Sequence, residues 1–298
     1  MIIAIDEAGD FAEDSQALNV FVALHIRRGG TILESFEERL NKWEKDLDEY
    51  RNSKGEIKGK YIPDQRIGDL IQNIFRNRKI IGVTAVGFYS SDNPSDVVKN
   101  NKNWMIGGIG HGIINYRLIG KNHMANEYKK FYRWFKNLSY VQFAKIAALA
   151  ECIYHAFCNS ICVSVVNKFD DELTDLGFKI DEDFIRSKKT RIFWGEAVRN
   201  ISLCISRERP MIVPELKDRD KHPFFDRHLE DNRLVVSEIF TQRLDFLASH
   251  TNFEIRIADI VATVYHRYHN RRRRCASAYG SITRCSWHPN HIPIQTLY

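Results

Sequence analysis

Two carboxylates in this sequence stand among apolar neighbours, where a charge is costly. Asp6 closes the apolar run Ile2–Ile5, and Asp259 is set among Ile255, Ile257, Ala258, Ile260, Val261 and Ala262. Charged side chains are rarely buried unless they are paired or bind a metal. Carboxylate oxygens are the donors that hard cations such as Mg²⁺ and Mn²⁺ prefer. Three or four of them on rigid elements suffice to hold two such ions roughly 4 Å apart, an arrangement that activates a water and neutralises the leaving oxygen in phosphodiester hydrolysis. The plainer alternative is a turn at Asp6-Glu7 and an ion-paired carboxylate at Asp259. Glu7 and Asp10 either join the cluster or shape the turn at Gly9.

The elements that must position these residues read as follows. Ile2–Ile5 is too short for a helix and predicts a buried strand. Leu18–Ile26 and Ile80–Tyr89 are β-rich and predict two more. Thr31–Tyr50 carries Ile32, Leu33, Phe36, Leu40, Trp43, Leu47 and Tyr50 at helical spacing. Asp64–Arg78 predicts a second helix. Residues 91–120 are rich in Asn, Gly and Ser and predict a loop. Met124–Val166 and Asp181–Ser206 predict helices, Pro210–Leu216 a strand ending in Glu215, and His222–Leu229 a short helix. Leu234–Thr241 predicts a strand and Ile255–Arg274 a helix carrying Asp259. Residues 275–298 show no clear periodicity. Strands alternating with helices predict one α/β domain over residues 1–298, with a helical insertion at 91–206.

Three short motifs add a resemblance. Ile5-Asp6-Glu7-Ala8-Gly9-Asp10, Glu56-Ile57-Lys58 and Ile257-Ala258-Asp259-Ile260-Val261-Ala262 resemble, in order, the three motifs of the bacterial domain-of-unknown-function 3800 family. Ala8 stands where that family usually has Ser, and Ser249 falls where it often has Ser. The motifs run from residue 6 to 262. The family is similar in fold to ribonuclease H-like nucleases. The resemblance therefore implies a mixed sheet flanked by helices, with carboxylates from the first strand, a later strand and a C-terminal helix meeting at one edge. It implies Asp6, Glu56, Glu215 and Asp259 as ligands of Mg²⁺ or Mn²⁺. Glu215 departs from the Asp usual at the later strand. Lys58 is implied as a contact to the scissile phosphate or as a support for a carboxylate.

Composition sets the outer bounds. The chain has 298 residues, 44 Lys plus Arg against 38 Asp plus Glu, and a net charge of +6, which suits a polyanionic partner without requiring one. Six irregularly spaced cysteines do not resemble a secreted disulfide framework. No signal peptide and no apolar run of roughly 20 residues is expected, which predicts a cytoplasmic protein with no membrane association. No P-loop, dinucleotide-binding glycine fingerprint, nucleophile elbow or His-Glu-x-x-His motif is present.

Four other groups have two readings each. Arg271–Arg274 is a phosphate-binding stripe or a solvated helix end. His266, one face of a helix with Asp259, is a proton-transfer partner or a structural His. Cys275, Cys285, His288 and His291 fit no standard zinc spacing well. The aromatics Tyr128, Phe131, Tyr132, Trp134 and Phe135, interleaved with Lys129, Lys130, Arg133 and Lys136, stack bases or pack a helix face.

The sequence thus predicts a two-metal nuclease acting on DNA or RNA, alone, as a homo-oligomer or with a protein partner. Its rivals are a nucleic-acid-binding subunit with a vestigial site and a metal-dependent phosphohydrolase of small phosphate esters.

Overall fold

The structure is a computed structural model that describes residues 1–9, 17–28, 32–52, 55, 57–75, 80–89, 96–167, 173–182, 188–212, 222–230, 233–270, 275–285 and 295–297. In chain order its elements are β1 (Ile2–Ala8), β2 (Leu18–Ile26), α1 (Ile32–Lys45), α2 (Asp64–Phe75), β3 (Ile80–Tyr89), α3 (Asp96–Leu118), α4 (Asn122–Lys136) and α5 (Tyr140–Asn167). Then come β4 (Gly177–Asp181), α6 (Lys188–Glu208), α7 (Pro223–His228), β5 (Leu229–Glu230), β6 (Arg233–Leu234), α8 (Ser237–Gln242), β7 (Leu244–Leu247), α9 (Phe253–Asn270), α10 (Ala276–Cys285) and β8 (Gln295–Leu297).

Six of these strands form one mixed sheet in the order β7-β4-β1-β2-β3-β8. β2 pairs antiparallel with both β1 and β3, whereas β4 runs parallel to β1 and β7 parallel to β4. β2 lies in the middle of the sheet and all nine of its residues are buried, which accounts for a sequence that is apolar except at Asn19 and His25.

Side chains alternate across the sheet and separate two cores. Ile3, Ile5, Phe21, Ala23, Val86, Phe88, Phe178 and Ile180 join the cluster built with α5 and α6. Ala4, Val20, Val22, Leu24 and Ala85 join the cluster built with α2, α9 and α10. Helices therefore cover both faces. Phe157 of α5 and Phe240 of α8 are fully buried and meet edge to face at 5.7 Å. Each such ring contributes on the order of 1.5–3 kcal/mol by burial alone.

Several sequence expectations are corrected. Residues 96–118 form the helix α3 rather than a loop, because scattered glycines do not break a helix whose face carries Met105 and Ile109 into the core. Met124–Val166 is two helices, α4 and α5, parted at Asn137–Ser139. The helical block 91–206 is not purely an insertion: β4 interrupts it and takes the place beside β1 in the sheet. Asp181 accordingly ends a strand, and helix α6 starts only at Lys188. The strand expected at Leu234–Thr241 is instead the two-residue β6 followed by the helix α8, and the true strand β7 comes next. Of the strand expected at Pro210–Leu216, Ile212 makes a single bridge to Arg233, and residues 213–216 lie outside the described residues.

Among the described residues one helix, α5, is long and apolar enough by length and composition to cross a membrane; 67% of its apolar stretch is buried in the protein against the sheet and α6, as in a core helix.

Candidate active site

The alternation that sorts the two cores also aims the acidic side chains. Asp6 lies two residues beyond Ala4 and shares its face, towards α9; it is only 4% exposed. Glu7 faces the other way, and its Oε1 accepts a hydrogen bond from Lys145 Nζ of α5 at 2.9 Å. β4 pairs Ile180 with Ile5 in parallel register. The next residues, Asp181 and Asp6, therefore stand side by side at the same sheet edge, and Asp181 is also buried. Asp259 comes from α9, which packs across β1 and β2.

The segment at Lys58–Tyr61 closes this cluster. Gly59 N–H donates to Asp259 Oδ2 at 2.7 Å. Lys58 Nζ donates to Ser249 Oγ at 2.8 Å and to Asp181 Oδ2 at 3.4 Å. Gly59 is required here: a Cβ at this position would lie 2.4 Å from Thr263 Oγ1 and 3.2 Å from the Asp259 carbonyl. Arg267 fastens the segment to α9. Its guanidinium donates to the carbonyls of Ile62 at 2.7 Å, Lys60 at 2.8 Å and Gly59 at 3.2 Å, and to Asp64 Oδ1 at 2.8 Å. Asp259, Thr263 and Arg267 are spaced four residues apart, so one stripe of α9 carries both the carboxylate and the clamp that holds Lys58 near it.

The electrostatics are those of crowded anions. Burial, and then the carboxylates of Asp181, Asp259 and Glu7, hold the Asp6 carboxyl well above the usual carboxylate range, while Lys58 pulls it the other way. Burial also raises Asp259, opposed by Lys58 and by the Gly59 N–H. Asp6 Oδ1 accepts from Glu7 N–H at 2.7 Å, but its buried Oδ2 has no hydrogen-bond partner among the described residues. A buried acceptor without a partner is costly.

Asp6, Lys58 and Asp259, all expected from the sequence, are thus brought together. Glu56 and Glu215 lie outside the described residues. The later-strand carboxylate at this edge is Asp181, which sequence reasoning missed by reading it as a helix start. A signal was present: Phe178-Lys179-Ile180-Asp181 alternates apolar and polar, and it ends in Ile-Asp as β1 does. The donors fit a hard divalent cation in kind and in charge. As placed, no three His, Cys, Asp or Glu side chains among the described residues sit close enough to cage an ion, and the Lys58 ammonium stands beside the carboxylates instead.

The remaining candidates fall elsewhere. His266 is half-buried on α9. Arg271–Arg274, His288 and His291 lie outside the described residues, as does the side chain of Cys285. Cys275 Sγ contacts Asp64 Oδ1 at 3.2 Å. The aromatic face of α4 packs inward: Phe131, Trp134 and Phe135 cluster with Phe193 and Trp194 of α6. Its Lys129, Lys130, Arg133 and Lys136 point to solvent.

No family model, no curated protein and no solved structure matches this chain.

Proposed function

We propose that this chain is a cytoplasmic, divalent-metal-dependent nuclease of ribonuclease H-like fold, with Asp6, Asp181 and Asp259 as its acidic centre. The sheet supports the fold part of this reading. Three antiparallel strands continue into two parallel ones, and carboxylates end the first and fourth strands beneath a C-terminal helix that carries a third. That is the arrangement the three sequence motifs imply.

The observation that carries the chemistry is Asp6. A carboxylate shut off from water, flanked by two more and left with an unpartnered oxygen, gains most from a cation. Asp6, Asp181 and Asp259 would hold Mg²⁺ or Mn²⁺, which supplies an activated water and charge neutralisation at the phosphorus. Lys58 then has two roles within reach: it orients Asp181 through the 3.4 Å contact, and it offers a cation to a phosphate oxygen. Ser249 fixes the ammonium between those roles. Gly59 N–H holds Asp259 in place through its Oδ2. Nucleic acid, DNA or RNA, is the substrate whose charge the +6 balance suits.

A second reading, a binding module with a vestigial site, draws on one observation: Lys58 already neutralises part of the acidic cluster without any ion. Both readings meet one experiment. Labelled single- and double-stranded DNA and RNA are incubated with Mn²⁺, Mg²⁺ or EDTA, beside Asp6→Asn, Asp181→Asn and Asp259→Asn. The nuclease reading expects metal-dependent cutting, reduced about a hundredfold or more in each variant. Binding without cutting, unchanged in all three variants, selects the binding module.

A further inference from the structure

Beside the acidic cluster, on the far side of Lys58 and Asp259, lies a recess of about 80 Å³ lined by Glu44, Arg51, Ile57, Ser249, His250 and Arg256 together with those two residues. We infer that this recess binds the terminal phosphomonoester of a nucleic-acid strand, so that the chain acts at phosphorylated strand ends. The inference rests on the nuclease reading of the neighbouring carboxylates.

Size argues for a phosphate end. The recess is small and open to solvent, and its volume is on the scale of a phosphate group with a few ordered waters. A phosphodiester within a strand needs room for a sugar on both sides. A monoester needs it on one side only, here the side where Lys58 and Asp259 border both the recess and the acidic cluster.

Charge agrees. Arg51, Lys58 and Arg256 line the recess with His250, against the carboxylates of Glu44 and Asp259. Both carboxylates are already engaged, Glu44 by Arg256 Nη1 at 2.6 Å and Asp259 by Gly59 N–H at 2.7 Å. The two arginines are held in place, and Arg256 keeps a donor in reserve. Arg256 binds Glu44 and Asn41, but its buried Nε has no partner among the described residues. Arg51 is braced by Asp48 Oδ1 and the Gly55 carbonyl, both at 2.7 Å. A terminal phosphate carries close to two charges at neutral pH, against one for a diester, and guanidinium donors favour it correspondingly.

The test measures binding and cleavage in parallel on short single strands ending in a 5′-phosphate, a 3′-phosphate or hydroxyls only. Binding is followed by fluorescence anisotropy with Ca²⁺, and cleavage with Mn²⁺. One of the two phosphorylated ends is expected to bind about tenfold tighter than the hydroxyl end. Millimolar inorganic phosphate should erase the difference, and Arg51→Gln should bring the ratio towards one. His250→Gln is a second probe should Arg51→Gln melt early. Equal binding of all three ends, or a difference that both variants leave intact, overturns the inference. An end preference with no cleavage of any strand overturns the nuclease reading and leaves the phosphate recess standing. Cleavage without an end preference does the reverse.

Discussion

Replacing Arg267 by Met tests whether the Lys58 segment is held in place by the helix behind it. The guanidinium donates to three backbone carbonyls and to Asp64, at 2.7–3.2 Å, and the side chain is only 9% exposed. Met keeps most of the stem's packing and removes every donor. The bond to the Ile62 carbonyl is buried, so that oxygen loses the Arg267 donor without gaining water, while the Gly59 carbonyl keeps its bond from Ile62 N–H at 3.1 Å. Asp64 loses its ion pair as well. Breaking one partner out of such a network costs about 3–5 kcal/mol. For a chain of this length that is a fall in Tm of about 6–10 °C, at about 2 °C per kcal/mol. Thermal unfolding followed by circular dichroism reads this directly. Arg267→Lys keeps the charge but not the fork, and its loss should be of similar size. Metal-dependent cleavage should fall further than stability accounts for, because Lys58 and Gly59 lose their fixed place against Asp181 and Asp259. A Tm within about 2 °C of the parent, or cleavage unchanged at a temperature where both proteins are folded, would refute the clamp.

Three further outcomes follow from the same geometry. The folded-state pKa of Asp6 is raised, so the folded protein binds a proton more tightly than the unfolded chain; this stability is fully present below the unfolded pKa and is lost as pH rises from there through the folded pKa. Asp6→Asn should flatten that decline in metal-free pH-dependent melts and leave the protein as stable as, or more stable than, the parent at neutral pH; a steeper decline would contradict the crowding of anions. Gly59→Ala forces a Cβ to 2.4 Å from Thr263 Oγ1, so it should cost about 1–3 kcal/mol in urea unfolding and lower cleavage by displacing Lys58, whereas a neutral effect on both would show that the segment does not lie tight on α9. Phe157→Ala, at a fully buried position between sheet and helix, should cost about 3–5 kcal/mol with the cleavage pattern of the folded protein preserved, as measured by denaturant titration and gel assay.

What could be read from the sequence divides along physical lines. β2 and β3 were legible to the residue, because both are rich in apolar and β-branched residues, and α9 was legible because its apolar residues recur at helical spacing. α3 was not, because local glycine and asparagine content argues for a loop while the packing of Met105 and Ile109 against neighbouring helices decides for a helix. β4 was hidden by its length: five residues between two helices carry little periodic signal, and their membership of the sheet is fixed by pairing with β1, some 175 positions distant in sequence. Asp6 and Asp259 could be singled out because a charge in an apolar stretch is anomalous. Asp181 stood out less: four alternating residues are a short signal, it opens a polar stretch, and its burial depends on neighbours that only the fold supplies.

The acidic edge draws its members from opposite ends of the chain: Asp6 on β1, Asp181 on β4 and Asp259 on α9. During synthesis the first two are made well before the third, and at about 5–20 residues per second the interval lasts several seconds. Throughout it, β1 and β2 lack the helix that covers them, and Lys58 and Gly59 lack the stripe they dock on. A nascent or prematurely terminated chain is therefore a protein with two-thirds of a centre and no lid over it. Whatever chemistry this edge performs therefore waits until α9 has been made and has docked on the sheet.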